Sequence, residues 1–362
     1  HHGPDRLALM PERRLASRVL LAAVPVALKI VAMLWARHCG FEQVSDDDYA
    51  RTVIAQTFAH APHLDPSGTS WLPFPFWIYG AAMLALGRSL EVARGLAFVL
   101  GALAPLVLYA GLRSMQIPRI AAAGGAAFAS LTPWSVWLAL APVPEAWSGA
   151  CAAAALFFVA SREARFAPVA GALSLVAALS RYETWPIAAL VACVCALRFL
   201  RAEVERALDA VAALLAAAGP IFWLANNAIA HGDALHFVAR VTAYRRANAG
   251  ALPIGARLLE YPRALAKDAP ETIAIALAGV LGASRAQAVR ETWRRWVLPL
   301  GGAALVLAFL IYGDLRDGAQ RHDAARALLP VIAVLGGFGA VGLETLVRGR
   351  RGRVPAVAAV AA

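Results

Sequence analysis

The sequence predicts an all-α fold: a polytopic membrane protein with about ten transmembrane helices and an interfacial helix in its first outer loop. Three observations carry that prediction. Hydrophobic residues make up 60% of the chain and charged residues 16%, where soluble domains hold roughly a quarter charged residues. Mean hydropathy is +0.62. Apolar runs recur along the whole length, and the loops between them carry mostly arginine.

There are 34 basic and 23 acidic residues, a formal charge of +11, with Lys29 and Lys267 the only lysines. The arginines lie between apolar spans, where topology rules and anionic headgroups account for them, so no nucleic-acid partner is implied. Cys39, Cys151, Cys193 and Cys195 form no disulfide or metal pattern.

Residues 1–14 read as a tag remnant, His1-His2-Gly3-Pro4, and a cytoplasmic N-terminus rich in arginine. The first span, Leu15 to Ala36, is long enough to cross roughly 30 Å of hydrocarbon, and no signal-peptide cleavage site follows it. The first outer loop, 37–92, holds Glu42, Asp46, Asp47, Asp48 and Asp65. Its stretch from Trp71 to Gly80 reads as lying in the interface, with Trp71, Trp77 and Tyr79 at headgroup depth. Counting that stretch as a span would reverse the charge bias of every later loop.

Further spans are expected over residues 93–112, 120–140, 145–160, 166–181, 184–200, 207–230, 271–284, 296–312 and 325–346. Those at 166–181 and 271–284 are short for a straight crossing. The outer loop 231–270 should contain an amphipathic helix around Leu235 to Tyr244. One transmembrane domain then covers 15–346, and 347–362 is a basic cytoplasmic tail after which no soluble domain is expected. This arrangement gathers the Asp cluster, Arg88, Arg94, Glu145, Arg181, Glu183, Asp233, Asp314 and Arg316 on the outer face. Multi-pass insertion in a bacterial inner membrane, with a periplasmic site, is the corresponding localisation.

The stretch Val44-Ser45-Asp46-Asp47-Asp48-Tyr49-Ala50-Arg51 stands out chemically. Adjacent carboxylates repel, so the run needs a cation, a metal, a proton-accepting task or a helix N-terminus to stabilise it.

Downstream come the aromatic and proline stretch, Gly87-Arg88-Ser89-Leu90-Glu91-Val92-Ala93-Arg94 opening a span, and Leu131-Thr132-Pro133 with Glu145 beyond it. Then follow Arg181-Tyr182-Glu183 and a late Arg-rich loop leading into Ala327-Leu328-Leu329-Pro330. This order resembles the GT-C superfamily of membrane glycosyltransferases, especially the protein O-mannosyltransferases and the aminoarabinose transferases that modify lipid A. It covers about residues 15–346. The resemblance implies a cell-envelope hexosyltransferase that takes a sugar from a polyprenyl-phosphate donor to a lipid, glycan or protein acceptor. Asp46 and Asp47 match the family's acidic pair, as Asp-Asp where Asp-Glu is more usual. Tyr49 stands near its aromatic, and Asp48 leaves the register open by one residue. In that family an acidic residue in this loop activates the acceptor or holds a metal. A divalent cation such as Mg2+ or Mn2+, if one is used, would sit at Asp46 and Asp47. Three aspartates in a row need not bind one ion, so the reading is metal-tolerant and not metal-dependent.

Transfer from a lipid phosphate also needs cations at the leaving group. Arg88, Arg94 and Arg181 suit that role. Arg316 or Arg321 from the late loop could join them, although solvated charge is the safer reading there. The bland alternatives are snorkelling for Arg88 and Arg94, an ion pair in a turn for Arg181 and Glu183, and a first-turn acid for Glu145. Lys29, deep in the first span, must snorkel, pair or line a polar cavity. Glu145, Tyr182, Glu183, Tyr49 and Lys29 are therefore candidate pocket residues. His231, Asp233 and His236 read better as a polar loop than as a metal site, and Asn226-Asn227 as a helix end. Two other classes compete: a transporter or flippase of a lipid-linked substrate, and a non-catalytic partner that keeps the fold. Partners are the lipid-linked donor and membrane lipids; oligomeric state has no signature here.

Overall fold

A computed structural model describes residues 5–161, 163–201, 207–248, 252–318 and 324–350, with side chains for 19–161, 163–201, 207–247, 252–318 and 324–348. Arg321 and the end of the basic tail lie outside the described residues. All regular structure among the described residues is helical: α1 (Asp5–His38), α2 (Asp47–His60), α3 (Phe74–Leu86), α4 (Leu90–Ser114) and α5 (Arg119–Leu131) come first. Then follow α6 (Pro133–Leu140), α7 (Glu145–Ala160), α8 (Ala167–Ala178), α9 (Trp185–Leu200) and α10 (Ala207–His231). The last are α11 (His236–Asn248), α12 (Ile254–Asp268), α13 (Pro270–Arg285), α14 (Val289–Asp317) and α15 (Leu329–Arg350).

Among the described residues, six helical segments are long and apolar enough to cross a membrane: Val19–His38, Leu90–Ser114, Tyr182–Leu200, Ala207–His231, Val289–Asp317 and Ala324–Arg348. Four shorter apolar ones join them, Phe74–Leu86, Arg119–Leu131, Glu145–Ala160 and Ala164–Ala178. The centre is α7. Its Ala152 to Leu156 run is inaccessible, because four consecutive alanines let α4, α8, α14 and α15 approach closely. The same logic joins α13 to α15, where a Cβ on Gly282 would fall 2.3 Å from the Gly342 carbonyl oxygen.

The structure refines three expectations. The span expected over 120–140 is broken into α5 and α6. Pro133 disfavours helical geometry at the residue before it, and Thr132 is extended at φ −58°, ψ 144°. Lys29 joins this break to α1: its ammonium donates to the Ser130 carbonyl at 2.7 Å and to the Ser135 carbonyl at 2.7 Å and hydroxyl at 3.0 Å. The loop 231–270 holds two helices, α11 and α12, not one. The acidic run opens α2, placing Asp47 and Asp48 in its first turn, where the helix dipole favours carboxylates. The 13-residue α3 is about 20 Å long, too short to cross upright. It packs against α2 and α4, with Pro75 in its first turn as helix starts prefer.

Candidate functional site

Helix α2 buries one face, Asp48, Arg51, Thr52, Ala55 and Ala59, against α3. Asp48 accepts from the Val44 backbone N–H at 2.9 Å, which fixes the loop leaving α1. Burial raises the Asp48 carboxyl above its ordinary pKa, opposed by that hydrogen bond and by Arg326. Arg51 lies 4.5 Å over the Trp71 ring and 5.8 Å from that of Phe76. This cation–π seat holds the guanidinium in a site only 5% exposed.

Glu145 starts α7 directly after Pro144 and is 2% exposed. Its Oε1 accepts from Arg326 at 2.7 Å and forms an ion pair with Arg181 at 3.1 Å. Arg181 occupies the extended residue between α8 and the short turn 182–184, and also donates to Glu183 at 2.7 Å. That turn is pinned by Tyr182, whose hydroxyl donates to the Ser70 carbonyl at 2.6 Å and accepts from Trp223 at 2.9 Å. Tyr182 also stacks on Phe237 at 4.9 Å. Arg326 lies in the one-turn helix Ala324–Leu328 leading into α15, with α12 packed against it. From there it reaches Asp47 at 3.6 Å and the Ser45 hydroxyl at 3.5 Å.

Thus the acidic loop, the start of α7, the 181–183 turn and the approach to α15 converge on one polar chamber. Several of its buried atoms have no hydrogen-bond partner: Glu145 Oε2, Asp48 Oδ1, Arg51 Nε and Ser148 Oγ. Tyr79 Oη and Trp147 Nε1 lie close enough to influence one another, yet neither meets hydrogen-bond geometry. Orphaned buried polar groups are costly. Their gathering around Glu145 makes this chamber the candidate site.

Of the residues singled out from sequence, Asp47, Glu145, Arg181 and Glu183 come together, with Asp48 alongside. Asp46 and Tyr49 are exposed. Lys29 is bonded at the α5/α6 break instead. Arg88 donates to His60 at 3.0 Å, and Arg94 to the Glu42 carbonyl at 2.8 Å. Arg316 forks onto Asp317 and reaches Thr242 at 3.1 Å, tying α14 to α11. Asn227 donates back to the Trp223 carbonyl at 2.8 Å. His231 and His236 stack at 4.0 Å. Sequence reasoning missed Arg326, Arg51, Tyr79 and Trp147. Arg326 directly precedes the Ala327–Pro330 motif, and Arg51 shares a helix face with Asp48, so both carried a signal.

Among the described residues no three His, Cys, Asp or Glu side chains gather as a metal site. The donor set does not suit a resident divalent ion, since Asp47 and Glu145 already face guanidinium groups.

These features define a membrane-embedded helical protein with a carboxylate–guanidinium chamber at the ends of several helices. The fold is that of the GT-C superfamily of membrane glycosyltransferases. The structure is similar to ArnT from Cupriavidus metallidurans bound to undecaprenyl phosphate, with a TM-score of 0.53 at 17% identity over 90% of this chain and 60% of that one. It is also similar to the archaeal oligosaccharyltransferase AglB from Archaeoglobus fulgidus in complex with an inhibitory peptide and a dolichol-phosphate: TM-score 0.56, 14% identity, 93% of this chain and 51% of that one. A second Archaeoglobus fulgidus oligosaccharyltransferase structure, with Zn and sulfate, gives a TM-score of 0.55 at 16% identity over 92% of this chain and 50% of that one. The chain therefore spans between half and three-fifths of the proteins it resembles. No family model and no curated protein matches the sequence.

Proposed function

We propose that the chain is a membrane glycosyltransferase that moves a sugar from a polyprenyl-phosphate donor to an acceptor hydroxyl on the extracytoplasmic face. One observation carries the reading: a single buried oxygen of Glu145 holds Arg181 and Arg326 together, and Asp47 stands at the rim with a 40% exposed side chain. Asp47 takes the proton from the acceptor hydroxyl as its oxygen bonds to the anomeric carbon. The bond from that carbon to the phosphate oxygen breaks, and the pair of electrons leaves with the polyprenyl phosphate. Arg181 and Arg326, preorganised by Glu145, stabilise the developing negative charge. Guanidinium groups fill the electrostatic role a metal would take, so activity is expected to survive chelation with EDTA. Hexoses, mannose among them, and aminoarabinose are the donor sugars to try first.

Two observations support an enzyme over a transporter. The ammonium of Lys29 is bonded to helix oxygens and does not line a path, and the polar groups gather at one end, whereas alternating access needs a site near the midplane. The test offers purified protein a panel of radiolabelled polyprenyl-phosphate sugars with a lipid extract. Donor cleavage by wild type and none by Asp47→Asn is the expected result. Saturable donor binding with no cleavage in either protein would instead fit a non-catalytic partner.

A further inference from the structure

A groove of about 530 Å3 lies between α1 and α6, lined by Ala32, Trp35, Ala36, Cys39, Phe41 and Trp137 among others. Its size is within the roughly 300–1,000 Å3 of small-molecule sites. Ala32, Trp35, Ala36 and Cys39 recur at three- and four-residue spacing, so they form one face of α1. The small residues Ala32, Ala36 and Gly40 leave the space that Trp35, Phe41 and Trp137 border. Lys29, one turn before Ala32, joins α1 to Ser135 beside the groove-lining Val136, so the two walls are held at fixed spacing. The groove is apolar, and Trp35 and Trp137 are 67% and 39% exposed, as a surface open to lipid requires.

Both walls lead into the polar chamber. Beyond Cys39 and Gly40, the α1 wall continues as the loop bearing Ser45 and Asp47. The α6 wall ends at Leu140, and the short turn 141–144 leads from it to Glu145 at the start of α7; α6 also packs against the turn that carries Arg326. Four residues beyond the groove-lining Phe41, the Ser45 hydroxyl accepts from Arg326 at 3.5 Å, so the loop leaving the groove runs to the chamber. Arg181 and Arg326 instead come from the approaches to α9 and α15. In a displacement at an anomeric carbon the acceptor enters opposite the leaving phosphate, so the base side and the cation side receive different molecules.

Resting on the glycosyltransferase reading, we infer that this groove seats a hydrocarbon chain of a lipid acceptor and presents its headgroup hydroxyl to Asp47. The acceptor is then a hydroxylated membrane lipid and not a folded protein.

Cys39, an exposed free thiol on the groove, reports occupancy, while Cys151 is partly buried and Cys195 buried. The full chain carrying Cys193→Ala, which removes the other exposed thiol, is placed in phosphatidylcholine nanodiscs. Maleimide alkylation of Cys39 is timed by mass spectrometry with and without monoglycosyl diacylglycerol, and donor cleavage is measured in the same discs. The probe should slow alkylation several-fold, polyprenyl phosphate should not, and Ala32→Phe should remove the protection. Protection by polyprenyl phosphate in preference to the glycolipid would assign the groove to the donor and overturn the inference. Protection seen only in discs holding two copies would assign it to a second chain, with the same consequence. Donor cleavage without protection sinks the groove alone. Protection without cleavage of any donor keeps the lipid seat but overturns the enzyme, and with it the acceptor role.

Discussion

Two regions of this protein bury positive charge, and they do so in opposite ways. At the α5/α6 break, Lys29 is fully buried and its ammonium makes three hydrogen bonds, to two carbonyls and a hydroxyl, with no carboxylate among them. The Ser130 carbonyl is one that the end of α5 leaves open, so the cation completes a helix terminus that has no water to turn to. In the chamber, Arg51, Arg181 and Arg326 share space with Asp47, Asp48, Glu145 and Glu183, and Glu145 Oε2 and Arg51 Nε have no partner. A charge whose bonds are complete holds structure. At the break the unpartnered buried atoms are hydroxyls, Ser130 Oγ and Thr132 Oγ1, whereas in the chamber they include charged groups, and that difference sets the candidate site apart from the scaffold.

The largest effect that would test this contrast comes from Glu145→Gln. Glutamine keeps the shape and can accept from one arginine, but it removes the charge that both guanidinium groups share. Transfer is expected to fall by about 10²–10³, the scale of losing a preorganised electrostatic group, with expression retained. A Glu145→Gln enzyme with full turnover would show the chamber to be as structural as the Lys29 site. Arg326→Lys sharpens the same point. Arg326 touches Glu145 through one nitrogen and Ser45 through another, a fork that a single ammonium cannot reproduce. A loss of roughly tenfold to a hundredfold in kcat/KM is expected, about 1.4–2.7 kcal/mol of transition-state stabilisation. Equal activity in the lysine variant would mean that only net charge matters there.

Lys29→Met tests the other half. It leaves the Ser130 and Ser135 carbonyls with fewer partners in an apolar setting, at a cost of about 1–3 kcal/mol. Thermal unfolding in detergent should shift downwards while donor cleavage per folded molecule stays the same. Loss of cleavage at unchanged stability would move Lys29 from scaffold to site.

The fold was legible wherever hydropathy alone decides. The long apolar segments were visible in composition, whereas Tyr79, expected at headgroup depth beside Trp71 and Trp77, is 3% exposed and packs in a core with Ala55 and Met83. The break at Thr132-Pro133 was written in the sequence too, but its apolar flanks concealed it within one long run. The site was legible in part. Glu145 and Arg181 could be placed because each sits at a loop between apolar runs. Arg326 was harder, since it meets Glu145 across 181 residues, and only its place directly before the Ala327–Pro330 motif separates it from Arg316 in the same charged region. Arg88 and Arg94 attracted notice through the Gly87–Arg94 motif and their expected place at the outer headgroups, yet they bond to His60 and to the Glu42 carbonyl.

The smallest expected effect concerns Asp48, where the two kinds of region meet in one side chain. Its Oδ2 is satisfied by the Val44 N–H, while its Oδ1 is not, and burial raises its pKa. A carboxyl that holds its proton more tightly in the folded state than in the unfolded one favours folding fully below its unfolded pKa, about 3.9. That contribution is lost as pH rises through the folded value. At neutral pH the ionised Asp48 is therefore a burden on stability. Asp48→Asn keeps an acceptor for Val44 and removes the buried charge. The variant should unfold at a higher temperature than wild type at neutral pH, and the gap should narrow as pH falls towards about 4. A variant less stable than wild type at neutral pH would show that the attraction of Arg326 outweighs burial. Asp48 would then belong with the charged chamber and not with the frame that holds it.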